Sequence, residues 1–154
     1  MAALRRLLAR WRSDKGAEFV EFALAFPLLL LVVLGIIDFG LLFQQYEVIT
    51  NAAREGARVA VLPNYTAADA RARAEQYITD SLITGGEVAT VSVGAPTATP
   101  IGGNCMFTVT VTVTYPHQFL FLSGIGNYFG ASFTSKQLTA QSTMRTEIVS
   151  GVCP

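Results

Sequence analysis

The sequence predicts an α+β fold: one long N-terminal helix packed on a small three-stranded antiparallel sheet, with a second short helix. Two observations predict it. Helical periodicity runs without a turn signal from about Ala17 to Leu62, and from about Glu87 onward apolar and polar residues alternate in threonine- and valine-rich stretches. At 154 residues the chain allows one compact domain beside its apolar segment.

The first half of the long helix is almost wholly apolar. No charged residue occurs between Phe22 and Ile37, and the run continues to Phe43 if Asp38 is tolerated. This is about the length that an α-helix needs to cross a bilayer. Pro27 removes one backbone hydrogen bond and is expected to kink or loosen the helix. Residues 17–43 are therefore predicted to be a transmembrane half.

Charge is distributed unevenly along a chain of zero formal net charge. Five basic residues precede the apolar run and the next is Arg54, which places the N-terminus in the cytoplasm and the rest outside. Residues 1–16 form a basic leader, which is either an interfacial amphipathic stretch or a disordered topology signal. Signal-peptidase cleavage is not expected, because no small-x-small site follows the run. The balanced total charge gives no indication of nucleic-acid binding.

Residues 44–154 are predicted to form the exported domain. The second half of the long helix should pack on it through a face that includes Phe43, Tyr46, Ala53 and Ala57. A second helix is expected from Ala67 to about Leu82, capped by Thr66 and Asp69, ended by Gly85-Gly86, and buried through the side chains Ala70, Ala74, Tyr77 and Ile78.

Three strands follow, at Glu87–Val93, Cys105–Tyr115 and Leu138–Ile148. In the second, alternation puts Phe107, Val109, Val111, Val113 and Tyr115 on the face toward the helix and the threonines in water. Gly94–Asn104 is predicted to be a hairpin loop. The aromatic segment Phe119–Phe133 must be buried under the sheet, touch the membrane surface or meet another subunit.

Two cysteines, Cys105 and Cys153, lie in the exported part, where an oxidising compartment makes a disulfide plausible. The alternative is a pair of free thiols. A bond between them would tie the C-terminus to the sheet and act as a staple rather than in catalysis.

No motif indicates an enzyme, a metal or a cofactor. His117 is the sole histidine, which excludes multi-histidine metal spacings, and it is expected at the surface or at a strand end. The sequence contains no CxxC, GxSxG or HExxH pattern, and its glycines are wrongly spaced for a phosphate loop.

The stretch Lys15-Gly16-Ala17-Glu18-Phe19-Val20-Glu21-Phe22 joins a basic leader to an apolar helix through a glycine and a glutamate. It resembles the processing site of type IV prepilins, most closely that of the Tad (tight adherence) branch. Two further segments are similar to those of TadE-like pseudopilins: Gly35-Ile36-Ile37-Asp38-Phe39-Gly40 and Asn51-Ala52-Ala53-Arg54-Glu55-Gly56-Ala57-Arg58. The stretch Met144–Glu147 also fits the last strand of that family.

The resemblance implies a pilin-like fold and a non-catalytic minor pseudopilin that takes part in assembling a Tad pilus for adhesion. It implies cleavage by a prepilin peptidase of the bacterial inner membrane between Gly16 and Ala17. Glu21 would then pair with the free amine of Ala17, in its own or a neighbouring subunit. The partners implied are the peptidase and other Tad pilins and pseudopilins. The location implied is the inner membrane, with one span and a periplasmic C-terminal domain; whether the protein stays in the membrane or enters an extracellular pilus is left open.

Asp38 lies about 25 Å along the axis from Glu21, too far for one carboxylate site. It marks the outer membrane boundary or contacts another pilus component. The competing interpretations of the chain are a secretion-system pseudopilin and an uncleaved signal-anchor protein with a small periplasmic binding domain; a major Tad pilin would be much shorter.

Overall fold

The computed structural model describes residues 14–81, 88–101, 104–128, 130 and 135–146. Most of the predicted leader, the Gly85-Gly86 stop and the end of the third predicted strand lie outside these ranges. Within the described ranges the elements are three helices, α1 (Asp14–Ala60), α2 (Ala67–Ser81) and α3 (Leu122–Tyr128), and four strands, β1 (Thr90–Val93), β2 (Thr97–Ile101), β3 (Asn104–Gln118) and β4 (Ser135–Arg145). The predicted α+β class is confirmed.

Helix α1 is one uninterrupted element of 47 residues, about 70 Å long, and continues through Pro27. It ends two residues before the predicted Leu62, ahead of a turn in which Asn64 adopts φ 68°. Its C-terminal half packs on the domain through small residues at helical spacing: Ile49, Ala52, Ala53, Gly56 and Ala57 are buried.

The packing face of α1 differs from the predicted one. Ala53 and Ala57 are buried, as expected, but Phe43 and Tyr46 are exposed. Small residues line the contact because helix α2 and strand β3 approach the α1 backbone closely there. The larger aromatic side chains lie around the helix, outside this contact.

Helix α2 forms where the sequence predicted it, because its start is stabilised locally. The Thr66 backbone N–H and hydroxyl donate to Asp69 Oδ2 at 2.8 and 2.6 Å, and the Asp69 N–H donates to Thr66 Oγ1 at 3.3 Å. This is a reciprocal capping box. The hydrogen bonds from Thr66 hold the pKa of Asp69 below its usual value. Ala70, Ala74 and Ile78 bury the inner face, as predicted.

Strand β3 is the centre of the sheet. Strand β4 pairs along one of its edges, from Thr108↔Arg145 to Gln118↔Ser135. Strands β1 and β2 lie one after the other along the opposite edge. Val111 of β3 pairs with β4 on one side and with Val93 of β1 on the other, and Thr108 of β3 pairs with β4 and with Thr97 of β2. The sheet thus contains four strands but is three strands wide, and all pairings are antiparallel.

The predicted hairpin loop Gly94–Asn104 is wrong in part, because β2 occupies its second half. Only Gly94–Pro96 separates β1 from β2. Three residues thus lie between Val93 and Thr97, whereas two lie between their partners Val111 and Thr108 on β3, so this edge resembles a β-bulge. The Gly94 N–H donates to Thr110 O at 2.8 Å across the break. Pro100 is compatible with β2 because an edge strand needs hydrogen bonds on one side only.

The alternation predicted for β3 is confirmed, with Val109, Val111, Val113 and Tyr115 buried toward the helices. The strand continues beyond the predicted end at Tyr115 to Gln118. His117 therefore continues the buried face and is 1% exposed. The predicted strand-end position is correct, but the predicted surface exposure is wrong because the period-two pattern persists for one more residue.

The two outer predicted strands have shifted bounds. Strand β1 begins at Thr90 rather than Glu87, which lies outside the described residues, and β4 begins at Ser135 rather than Leu138. The described part of the aromatic segment holds the short helix α3, which the sequence did not predict. This helix lies beside α1, at the end of the domain nearest the apolar half of α1.

Candidate functional site

The predicted processing and assembly residues lie in the first turns of α1. Gly16 and Ala17 are inside the helix, which begins at Asp14, and Glu21 follows one turn after Ala17. Every residue from Gly16 to Val33 is exposed. Within the described ranges, no hydrogen bond or ion pair is found for the Glu21 carboxylate.

Asp38 is fully buried and binds backbone of its own chain. Its Oδ1 accepts from the Leu120 N–H at 3.1 Å, and its Oδ2 accepts from the N–H groups of Phe121 at 3.0 Å and Leu122 at 2.7 Å. The Phe121 N–H also lies 3.4 Å from Oδ1. The roles proposed for Asp38 at a membrane boundary or toward another component are not tested by this contact.

The Asp38 contact is favourable for two physical reasons. Leu122 begins α3, and the first N–H groups of a helix have no partner within the helix itself. A carboxylate placed there satisfies these donors and interacts with the positive end of the helix dipole. Asp38 thus acts as a helix cap supplied from a distant part of the chain, and it fixes residues 120–122 to α1.

A second polar contact lies two turns further along α1. His117 Nδ1 and Gln45 Oε1 are 2.6 Å apart, and both side chains are buried. The Phe119 ring stands edge-on between the two contacts, with ring centroids 4.8 Å from His117 and 6.3 Å from Phe39. The chain after β3 therefore runs along α1 toward its apolar half, from Gln45 to Asp38.

The lengths of the two segments agree with this descent. Gln45 and Asp38 are seven residues apart, about 10 Å on a helix, and three extended residues from His117 to Leu120 also span about 10 Å. Sequence reasoning had singled out Asp38 and His117 separately but missed Gln45. The available signal was that Asp38, Gln45 and Ala52 recur at seven-residue intervals and share one helix face.

His117 predicts a pH dependence of stability. Desolvation by burial lowers the pKa of its imidazole, and the negative charge of Asp38 offsets this only in part. The unfolded chain binds a proton near pH 6.5, whereas the folded chain binds it at lower pH. The free energy of unfolding should therefore fall as the pH drops below about 6.5, until the folded imidazole is protonated too.

Unfolding of the full chain in micelles between about pH 7.5 and 5.5 measures this dependence. The side chain in the His117→Gln variant does not titrate in this range. The unfolding free energy of the variant should therefore fall less steeply with decreasing pH than that of the parent protein. Equal slopes for the variant and the parent protein would contradict the assignment.

The second family segment has a structural role in the domain. A Cβ on Gly56 would lie 3.1 Å from Ala74 Cβ, 3.2 Å from Ala70 O and 3.3 Å from Val111 Cγ1. Glycine at this position thus allows α1, α2 and β3 to meet closely. Gly40 of the first segment is different, since a Cβ there would have nothing within 4 Å.

The charged members of the second segment lie on the outer side of α1. Glu55 forms ion pairs with Arg58 at 3.5 Å and with Arg73 of α2 at 3.7 Å, all partly exposed. Pairs of this kind contribute little stability individually. Arg54 is exposed and Asn51 half-buried. The structure therefore does not bring this segment together with Asp38 or Glu21 in one site.

Cys105 is buried on the inner face of β3, whereas Cys153 lies outside the described residues. Their disulfide stays a prediction. We expect the exported protein to resist thiol alkylation until it is reduced, and peptide mapping without reductant to recover Cys105 linked to Cys153. Removing the bond should cost about 2–4 kcal/mol of unfolding free energy. Two thiols that react freely in the folded, exported protein would contradict the pairing.

No group of three or more histidine, cysteine, aspartate or glutamate side chains in the described ranges is arranged to hold a metal ion. Helix α1 contains a segment, Gly16–Ala60, that is long and apolar enough to cross a membrane. Such a helix is compatible with a single-pass membrane anchor.

Comparison with known proteins supports the resemblance inferred from the sequence. A family model described as TadE-like protein matches residues 16–58, which span the apolar half of α1, Asp38 and the Gly56 contact. The match does not include the sheet. No curated protein and no solved structure matches the chain significantly. Over residues 16–58 the chain is thus similar to the TadE-like family.

Proposed function

We propose that this chain is a minor pseudopilin that takes part in assembling a Tad pilus. The observation that carries the proposal is the form of α1: residues 16–33 are all exposed and, apart from Glu18 and Glu21, uncharged, and the same unbroken helix continues into a packed domain. Lipid before assembly, and neighbouring helices after it, are the environments that cover such a surface. The TadE-like match over the same residues supports this interpretation.

We further propose that the chain is inserted in the inner membrane with the leader in the cytoplasm, and that a prepilin peptidase cuts between Gly16 and Ala17. The basic leader supports the orientation. Gly16 supports the cleavage, because a residue without a side chain allows close approach by a catalytic site.

Determination of the N-terminus tests this proposal. The chain, co-produced with a Tad prepilin peptidase and purified from membranes, should begin at Ala17. Gly16→Leu is the matched variant and should still begin at Met1. A parent chain that keeps Met1 would contradict processing and favour the uncleaved signal-anchor protein.

Glu21 is proposed to select the register of assembly. Its carboxylate and the new amine of Ala17 are four residues apart and share one helix face. Either that amine or the amine of a neighbouring subunit can neutralise the charge. In a low-dielectric environment such pairing selects one arrangement more than it adds net stability, because both charges must first lose water.

Glu21→Ala should therefore insert and be cleaved normally but lower the number of assembled pili by at least about tenfold, the factor that corresponds to 1.4 kcal/mol. Glu18→Ala is the matched control, since Glu18 is also exposed in the first turns of α1. Counting pili by electron microscopy in cells with equal membrane levels of each variant measures the effect. Normal piliation with Glu21→Ala would remove the charge-pairing argument.

A further inference from the structure

We propose that Leu120 and Phe121, together with Phe39 and Phe43 of α1, form a second membrane contact. These four residues, here called the apolar rim, would enter the lipid boundary of the outer leaflet at the base of the domain. This inference rests on the proposed membrane insertion of α1. It also selects one of the three environments that the sequence left open for the aromatic segment.

The side chains of the apolar rim are not used by the core. Leu120 is 60% exposed, Phe121 38%, Phe39 51% and Phe43 67%. They border the apolar surface of the transmembrane half, where Ile36 and Ile37 are also exposed. The rim therefore extends that surface sideways from α1 onto the segment that follows β3. An exposed apolar surface of this kind indicates a contact with another apolar phase.

The backbone N–H groups of residues 120–122 already have hydrogen-bond acceptors within the chain. Irregular backbone rarely enters lipid, because each unpaired N–H there costs several kcal/mol. At residues 120, 121 and 122 all three N–H groups donate to the buried carboxylate of Asp38. Three donors of this irregular stretch are thus satisfied within the chain, and the hydrogen bonds hold Leu120 and Phe121 beside α1.

The position along α1 agrees with a boundary location. Ala17 and Asp38 are 21 residues apart, about 31 Å along the axis, which is close to the hydrocarbon thickness of about 30 Å. With Ala17 at the inner boundary, Asp38 and the apolar rim lie at the outer one. Residues 119–130, FLFLSGIGNYFG, carry no charge, and aromatic residues are enriched at this depth in membrane proteins.

Fluorescence quenching in vesicles tests the inference on the full chain. Trp11, the sole tryptophan, is replaced by phenylalanine, and single tryptophans are introduced as Phe121→Trp, Phe26→Trp or Tyr65→Trp. Each protein is reconstituted in phosphatidylethanolamine and phosphatidylglycerol vesicles with bromine atoms at a shallow or a deep acyl position. Phe26 lies within the span, and Tyr65 is an exposed aromatic residue in the turn between α1 and α2.

We expect Phe121→Trp to be quenched by shallow bromines more than by deep ones, Phe26→Trp by deep bromines, and Tyr65→Trp by neither. Quenching at position 26 without quenching at position 121 would overturn the inference and leave the membrane anchor intact. Absence of quenching at both positions would refute insertion itself. If the tryptophan emission at position 121 is not quenched by bromine but changes with the protein-to-lipid ratio, the apolar rim contacts a second copy of the chain. That result would likewise overturn the lipid contact.

Discussion

Replacement of Asp38 by alanine is expected to lower the free energy of unfolding by about 3–5 kcal/mol. The substitution removes the acceptor of three partly buried N–H groups at residues 120–122. Each unsatisfied donor costs about 1–3 kcal/mol, and water entering the space recovers part of this loss. Asp38→Asn keeps the shape and one acceptor oxygen but not the charge, so its cost should be smaller.

Hydrogen exchange of the full chain in micelles, followed by mass spectrometry, measures this effect residue by residue. A loss of about 3 kcal/mol corresponds to exchange about a hundredfold faster. Peptides covering Leu120–Leu122 should show the change first, and β3 should follow if the whole domain is destabilised. Asp80→Ala, which removes an exposed carboxylate on α2, is the control and should change little.

Unchanged protection at residues 120–122 in Asp38→Ala would contradict the capping role. Equal losses for Asp38→Ala and Asp38→Asn would show that charge, rather than the geometry of the acceptors, determines the contact.

Gly56→Leu is expected to destabilise the domain by about 3 kcal/mol or more, because overpacking of a rigid core is costly. The new side chain must displace Ala74, the backbone oxygen of Ala70 and Val111, all within 3.3 Å of its first carbon. Two of these three neighbours belong to α2, so the helix must move as a body. Separation of α1 from α2 and from the sheet is the expected structural result.

The matched control is Gly40→Leu, made on the same helix at a position where a side chain meets nothing within 4 Å. Limited proteolysis of both variants in micelles, with cleavage between α1 and α2 as the readout, compares them under one condition. Similar proteolysis of Gly40→Leu and Gly56→Leu would show that general effects of leucine on α1, rather than close packing, explain the loss.

Local sequence determined the two longer helices and the faces of the central strand. Helix α2 was predicted at Ala67 because Thr66 and Asp69, three residues apart, form its cap without help from the rest of the chain. The period-two pattern of Val109, Val111 and Val113 likewise depends only on backbone geometry. Such features could be predicted because the interacting residues are neighbours in the sequence.

Strand β2 could not be placed from its own residues. The stretch TATPI contains a proline and few apolar residues, so it has no strong strand pattern. It is a strand because it lies antiparallel beside β3, where the register from Thr97↔Thr108 to Ile101↔Asn104 satisfies its backbone groups. The turn formers between Gly94 and Asn104 predicted only a loop there.

By itself, the sequence determined a basic N-terminal stretch, one long helix with an apolar first half and TadE-like motifs, and an antiparallel sheet. Only the tertiary structure decided what its polar residues contact. Asp38 meets Leu122 across 84 residues of sequence, and His117 meets Gln45 across 72. Such contacts depend on where the end of β3 arrives along α1. The register of the sheet and the close approach at Gly56 set that position, and no local pattern encodes it.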